Sequence, residues 1–172
     1  ILYFINNVSD AELLPRFRRR LMVEAVCFVV FFVPFVIYVL LKDGFAVDAA
    51  SGSIVMESYK YFHNLMAMPW VLGLFLLGVV AVLFGLGRSI LCATYNKGIW
   101  FAGVGTVLAV LALLLTVGYN NTAYYPSAAD LQSSLTLSNS CSSLFTLKTM
   151  AYVSVFVPFV LAYIIYAWRA ID

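Results

Sequence analysis

Four long apolar stretches constrain this chain more than any other feature of its sequence. They cover residues 21–41, 65–87, 99–118 and 149–168. A bilayer has a hydrocarbon core about 30 Å thick, so a helix rising about 1.5 Å per residue needs about 20 apolar residues to cross it. Each stretch meets that length, and Glu24 is the single charged residue within them. The sequence therefore predicts an all-α integral membrane protein with four transmembrane helices.

Composition excludes several other classes of protein. Hydrophobic residues make up 64% of the chain and charged residues 10%, whereas a soluble domain has about 45–50% and about 25%. These values exclude a soluble globular enzyme and a disordered tail. Ten Lys and Arg residues give a net charge of +2, too little for the basic surface that nucleic-acid binding requires. Three cysteines are too few for a disulfide scaffold.

The distribution of Lys and Arg predicts the orientation. Four spans place both ends of the chain on the same side of the membrane. That side carries Arg16, Arg18, Arg19, Arg20, Arg88, Lys97 and Arg169, and the other side carries Lys42, Lys60 and Lys148. Cytoplasmic loops carry the excess of Lys and Arg, so we expect both ends to be cytoplasmic.

The same assignment organises the rest of the chain. We expect residues 1–20 to be a cytoplasmic segment that follows an earlier span, because its apolar start resembles the end of such a span. Residues 42–64 and 119–148 become external loops rich in turn-forming residues, with an ordered cap or short interfacial helix over 127–143. Residues 88–98 become a cytoplasmic turn, and the fourth helix and cytoplasmic end occupy 149–172.

Small residues mark one face of two spans. Because small side chains let helix backbones approach closely in lipid, we expect these faces to pack against neighbouring helices, plausibly each other across the 88–98 turn. They are Ala102, Gly105, Ala109, Ala112 and Thr116 in the third span, and Gly78, Ala81 and Gly85 in the second.

Two isolated residues are candidates for chemistry. His63, the single histidine, resembles a haem ligand when read with Met66 and Met68, but His63 and Met66 lie on one helix face and cannot bind a haem from opposite sides. We therefore read His63 as a hydrogen-bonded surface residue. Glu24 lies inside the first span, where an acid is a candidate for a proton path or a partner of Arg20 one turn earlier.

Residue chemistry alone assigns no catalytic, cofactor-binding or metal-binding residue to this chain. Phosphate loops, nucleophile elbows and paired carboxylates are absent from its sequence. Cys27 and Cys92 are expected to be free thiols near the reducing side. Pro34 and Pro158 lie near the middle of the first and fourth spans. Together with Glu24, they make half of a secondary transporter an alternative function. A structural membrane scaffold is a third possibility.

Several segments in chain order resemble the second half of subunit II of cytochrome bd quinol oxidase. The resemblance covers essentially all 172 residues, and its most specific part is the Pro-Ser to Ser-Leu-Thr pattern of the last external loop. The matching segments are Leu2–Phe4, Glu12–Arg20, Tyr59–Asn64 with Pro69-Trp70, Tyr124–Ser127 with Asp130, Ser133–Leu137 and Leu144–Met150.

The resemblance implies a function that composition does not. Subunit I of such an oxidase binds haem b and haem d and oxidises quinol, and the complex reduces O₂ to water and charges the bacterial inner membrane. Subunit II ligates no haem, completes the complex and in some members binds a quinone. The resemblance thus implies as partners the haem-bearing subunit I, the remaining half of subunit II, quinol and membrane lipids. The chain is shorter than the family's subunit II, so we expect it to be half of a larger helical subunit. None of the family's polar pathway residues can be transferred to it.

Overall fold

The computed structural model describes residues 1–48 and 51–171. Helices dominate it, and four of those in the described residues are long and apolar enough to cross a membrane. This confirms an all-α integral membrane protein. The helices are α1 (Leu2–Asn7), α2 (Leu13–Leu41), α3 (Lys60–Ala67), α4 (Pro69–Leu91), α5 (Gly98–Gly118), α6 (Leu137–Ser140) and α7 (Leu144–Ile171), of which α2, α4, α5 and α7 are the four.

The helices α2 and α7 extend beyond the apolar stretches that predict them. α2 begins at Leu13 and α7 at Leu144, several residues before residues 21 and 149. Hydropathy detects only the part of a helix that lies in hydrocarbon, whereas the backbone hydrogen bonds continue into polar sequence. Pro15 stands in the first turn of α2, where its missing N–H costs no hydrogen bond. The Arg16–Arg20 cluster is therefore helical.

The two long loops contain secondary structure that the sequence did not predict. In the 42–64 segment, β1 (Gly44–Val47) pairs antiparallel with β2 (Ile54–Glu57), followed by α3. In the 119–148 segment, β3 (Ala123–Tyr125) pairs with β4 (Leu135–Thr136). The range 127–143, where a cap or short helix is expected, contains a 3-10 turn at Leu131–Ser133 and the short helix α6. An isolated bridge between Ala46 and Thr122 connects the two sheets. Residues 49 and 50 of the first loop lie outside the described part.

The helices α4 and α5 pack closely through their small residues, as predicted. A methyl group added at Gly78 would lie 2.6 Å from the backbone nitrogen of Ala109, and one at Gly105 would lie 2.6 Å from the carbonyl oxygen of Gly78. Such distances mean that the two backbones touch. The small residues Ala102, Gly105, Ala109, Ala112 and Thr116 are all buried.

The chain forms two compact units, one of Ile1–Thr136 and one that begins at Leu137. In the first, α2 and α3 pack beside the α4–α5 hairpin, and the core includes Leu65, Met68, Val71 and Ala112. In the second, α7 continues through Pro158.

Candidate functional site

The structure places polar groups at the two ends of the α4–α5 hairpin, with an apolar interior between them. One end holds α3 and the two small sheets, because α3 precedes α4 and β3 follows α5. The other end holds the turn between α4 and α5 together with the N-terminal part of α2. Both ends and the interior are possible places for chemistry.

His63 lies at the sheet end in a cluster with Glu57 and Lys60. Its Nδ1 is 3.0 Å from Glu57 Oε1, and Lys60 Nζ is 3.1 Å from Glu57 Oε2. The hydrogen bond to His63, and secondarily Lys60, lowers the pKa of the Glu57 carboxyl below its usual 4.5, against a smaller opposing effect of burial. Both His63 and Glu57 face solvent. His63 is therefore a hydrogen-bonded surface residue, as the sequence predicted.

Burial also shifts the pKa of a neighbouring side chain. Tyr61, in the same helix α3, has its pKa raised above 10.0 by partial removal from solvent. The Tyr61 ring also contacts the backbone of β1, because a methyl group placed at Gly44 would meet the ring at 3.2 Å and Lys60 Cβ at 2.7 Å. Gly44 thus lets the first hairpin lie directly on α3.

Asn64 is the centre of a buried network that sequence reasoning did not find. Its side-chain nitrogen donates to the Thr116 carbonyl oxygen at 3.0 Å and to Thr122 Oγ1 at 2.7 Å, and its oxygen accepts from Asn120 Nδ2 at 3.1 Å. Thr122 Oγ1 in turn donates to the Tyr119 carbonyl. Asn64 is fully buried, so each of its polar atoms needs these partners. The network fastens α3 to the C-terminal end of α5.

Arg18 performs the corresponding role at the other end. Its guanidinium donates to the carbonyl oxygens of Ser89, Cys92, Ala93 and Tyr95, at 2.7 Å for Cys92 and Ala93 and 3.2 Å for Tyr95. The last carbonyls of a helix have no partner within it, and its C-terminal end carries partial negative charge. One cation therefore satisfies several groups where α4 ends and fixes α2 against the turn.

The single acid within a span, Glu24, lies exposed on α2. Among the described residues the ion pair is Lys60–Glu57, with His63 hydrogen-bonded to the same carboxylate, and the expected pair between Glu24 and Arg20 is not formed. Both side chains are exposed on the helix. Glu24 instead lines a groove with Cys27 and a row of phenylalanines.

An apolar cavity of about 330 Å³ lies between α2, α4 and α5. Its walls include Val29, Val82 and Leu113, and the one polar side chain among them is Thr106. The Thr106 hydroxyl donates to the Ala102 carbonyl at 2.7 Å within its own helix, so its hydrogen-bond donor is already satisfied. The wall is hydrocarbon and provides no group that would orient a polar head.

Within residues 1–48 and 51–171, no group of three or more His, Cys, Asp or Glu side chains is placed to hold a metal ion. Cys27, Cys92 and Cys141 are free thiols. Of the residues considered for haem ligation, His63 has its Nδ1 engaged by Glu57, while Met66 is exposed and Met68 is buried.

The comparison with protein families decides what kind of chain this is. The model of the cytochrome bd terminal oxidase subunit II family matches residues 1–171. The chain belongs to this family. Among curated proteins, comparison finds no match.

Membership of the cytochrome bd terminal oxidase subunit II family makes this chain a subunit of a bd-type oxidase complex and implies a partner subunit I. Two of the segments that carried the resemblance contain the residues that tie the helices together. Asn64 lies in the Tyr59–Asn64 segment, and Arg18 lies in the Glu12–Arg20 segment. The sequence signalled these segments but not their roles. An asparagine before a span and one arginine among four have no pattern that reveals which carbonyls they will reach.

Proposed function

We propose that this chain is the non-haem-ligating subunit of a cytochrome bd-type quinol:O₂ oxidoreductase. It supports electron transfer from quinol to oxygen and the generation of proton motive force. The observation that carries the proposal is the family match over residues 1–171.

The haems b and d belong, in this proposal, to the partner subunit I. A haem needs at least one axial ligand, which is a histidine in many proteins, and the chain contains a single histidine. That histidine is bonded to Glu57 at 3.0 Å in the polar cluster at the sheet end. The exposed and charged surroundings of His63 do not fit a haem, and no step of the reaction passes through the residues of this chain.

The work of this chain is to build and complete the complex. Each quinol gives up two electrons and two protons, and four of each convert O₂ to two water molecules. The α4–α5 hairpin supplies a rigid membrane scaffold, and the remaining half of subunit II and membrane lipids complete its surroundings. The hydrocarbon-lined cavity between α2, α4 and α5 suits an isoprenoid or acyl tail, so a quinone bound for structural purposes is included in the proposal.

We place the chain in the bacterial inner membrane with both of its ends in the cytoplasm. The hydrogen bonds of Arg18 to residues 89–95 support this orientation, because they bring the Arg16–Arg20 cluster, Arg88 and Lys97 to one end of the first unit. Lys60 lies at the opposite end with α3. The excess of cations at the first end is what the positive-inside rule associates with the cytoplasm.

Purification of the complex through a tag on this chain tests the proposal. We expect a second, haem-bearing polypeptide to copurify, with visible absorption bands and quinol oxidase activity that persist in a His63→Ala variant. A haem signal that disappears in His63→Ala while the complex remains intact would contradict the non-ligating role.

The competing function is half of a secondary transporter. The features that favour it are Pro34 inside α2, Pro158 inside α7 and Glu24. A transporter takes up solute in liposomes without any haem-bearing partner. Uptake by a preparation free of haem would favour that function, whereas copurification of a haemoprotein without oxidase activity would favour a structural scaffold.

A further inference from the structure

The face of α5 that points away from α4 contains an open apolar groove, here called the α5 groove. It has a volume of about 420 Å³. Gly103 leaves its middle without a side chain, since an added methyl group there would meet nothing within 4 Å. Gly105 and Ala109, which contact α4, lie on the opposite face of the helix. The residues that line the groove are Ile99, Trp100, Gly103, Val104, Val107 and Leu108.

Two exposed cations lie beside the start of the α5 groove. Arg88 is in the last turn of α4, and Lys97 immediately precedes the first residue of α5. The two helices touch between these positions, because a methyl group added at Gly98 would meet the Ser89 hydroxyl. Arg88 and Lys97 are each next in sequence to one side of this contact. Both cations therefore lie at the same level of the hairpin, at the end where the groove begins.

The structure fixes the turn between α4 and α5 but leaves its positive charge uncompensated. Arg18 donates to the Tyr95 carbonyl oxygen at 3.2 Å, and the Arg88 guanidinium carbon lies 5.4 Å from the centre of the Tyr95 ring. A tyrosine ring attracts a cation without carrying a net charge. Residues 88–98 contain no Asp or Glu, and the ion pair among the described residues lies at the opposite end of the first unit. An anion can therefore approach the two cations of this turn without displacing another.

An anionic phospholipid is complementary to both parts of this surface. Its phosphate matches the cations at the membrane edge, and its acyl chain matches the apolar groove that runs from there into the hydrocarbon. Trp100, which is 69% exposed, lies between the two parts, at the level where indole rings are favoured in membranes. A soluble phosphate would not use the groove. A zwitterionic lipid gains less from the cations, because its headgroup also carries a positive charge.

We propose that Arg88, Lys97 and the α5 groove bind one anionic phospholipid. The phosphate lies near the two cations, and one acyl chain passes Trp100 and covers Gly103. In the orientation proposed above, this lipid belongs to the cytoplasmic leaflet, where anionic lipids are found. The inference goes beyond the proposed function, since the site depends on the α4–α5 hairpin and its charges and not on the chemistry of a partner.

Quenching of Trp100 fluorescence tests the proposal. The complete complex, purified through a tag on this chain, is reconstituted into phosphatidylethanolamine vesicles that contain increasing fractions of phosphatidylglycerol with brominated acyl chains. Bromine quenches a nearby indole, and subtraction of the signal from a Trp100→Phe variant isolates Trp100 from the other tryptophans. Each Lys or Arg near the membrane surface favours an anionic lipid about fivefold. We therefore expect half-maximal quenching at an about twentyfold lower fraction of brominated phosphatidylglycerol than of brominated phosphatidylcholine.

Substitutions separate the site from the general charge of this end of the chain. Lys97→Gln and Arg88→Gln should each lower the preference for phosphatidylglycerol about fivefold. Arg19→Gln removes the same charge from an exposed residue outside the groove and should leave the preference unchanged. Gly103→Leu should fill the groove and reduce quenching by both lipids. Its matched control is Gly73→Leu in α4, since an added methyl group at Gly73 also meets nothing within 4 Å.

Three results would overturn the proposal. Equal quenching by the two brominated lipids would show that the cations do not select the lipid. An equal loss of preference in Arg19→Gln would show a diffuse surface potential in place of a site. Absence of quenching by either lipid would show that a polypeptide covers this face of α5. All three are compatible with copurification of an active haem-bearing partner, so the lipid site and the proposed function fail separately.

Discussion

Arg18 and Asn64 are single side chains that satisfy polar groups at opposite ends of the same helical hairpin. Arg18 reaches carbonyls that follow the end of α4, and Asn64 reaches groups at the end of α5. In a membrane protein these are the places where backbone polar groups leave the regular hydrogen bonding of a helix, and an unsatisfied group there is costly. Each residue also ties a separate helix to the hairpin, α2 in one case and α3 in the other.

Removing the Arg18 guanidinium should loosen the turn between α4 and α5. We expect Arg18→Gln to lower the free energy of unfolding by about 1.5–3 kcal/mol, the value of a hydrogen bond to a charged group. Amide hydrogen exchange over residues 88–95 should rise at the same time. Arg19→Gln is the matched control, because Arg19 is exposed and should leave both quantities unchanged. Equal effects of the two substitutions would contradict the capping role.

The cluster around Glu57 predicts a dependence of stability on pH. Folding lowers the pKa of Glu57 below 4.5, so its contribution to stability is fully present above pH 4.5 and is lost as pH falls through the folded-state pKa. We expect the difference in thermal midpoint between the native chain and Glu57→Gln to be largest near neutral pH and to shrink below pH 4.5. A difference that stays constant down to pH 3 would show that the carboxylate does not stabilise the sheet end.

At the scale of elements, the contact between α4 and α5 depends on glycines. Lipid removes the hydrophobic drive that joins helices in water, so close packing has to supply the association. The backbone of Ala109 lies where a side chain at Gly78 would be, and the backbone of Gly78 lies where one at Gly105 would be. The hairpin is therefore sensitive to side-chain size at Gly78 and Gly105, and equally at Gly85 and Gly98, where an added methyl group would also lie within 3 Å of the facing backbone.

Enlarging Gly105 should separate the two helices. We expect Gly105→Leu to prevent assembly of the subunit and Gly105→Ala to lower its stability by about 1–3 kcal/mol, the usual cost of overpacking. Thermal unfolding and recovery of the complex in detergent measure these effects. Gly103→Ala is the matched control, since nothing lies within 4 Å of a methyl group at Gly103. Normal assembly of Gly105→Leu would refute the close contact of the two helices.

The short strands inside the loops could not be predicted from sequence patterns. The strands β1 and β2 have four residues each, and β4 has two, too few for an alternating pattern to emerge. Their formation depends on partners far along the chain, such as the bridge between Ala46 and Thr122. The backbone nitrogen of Ile54 similarly bonds the Gln132 side chain at 2.8 Å.

At the scale of the whole molecule, orientation follows from the charges gathered at each end. We expect a cysteine introduced as Ala11→Cys to react with a membrane-impermeant maleimide only in inverted vesicles, and one introduced as Ser51→Cys to react only in intact spheroplasts. Both variants are made in a background in which the native cysteines are replaced by serine. Labelling of Ala11→Cys from outside the cell would reverse the orientation and remove one support of the proposed function.

The sequence by itself determined the membrane class, the four spanning helices and the pairing of the small-residue faces, because hydropathy and side-chain size act locally and accumulate over about 20 residues. The resemblance to subunit II of the oxidase also depended on sequence alone, and the family match confirms it. Only the tertiary structure decided which polar side chains have partners. Arg18, Asn64 and Glu24 all lie beside or within apolar runs, and the residues next to them do not distinguish their roles. Folding brings carbonyls to Arg18 and an amide network to Asn64 but leaves Glu24 exposed, because a partner distant in sequence is fixed by how helices pack rather than by the residues next to it.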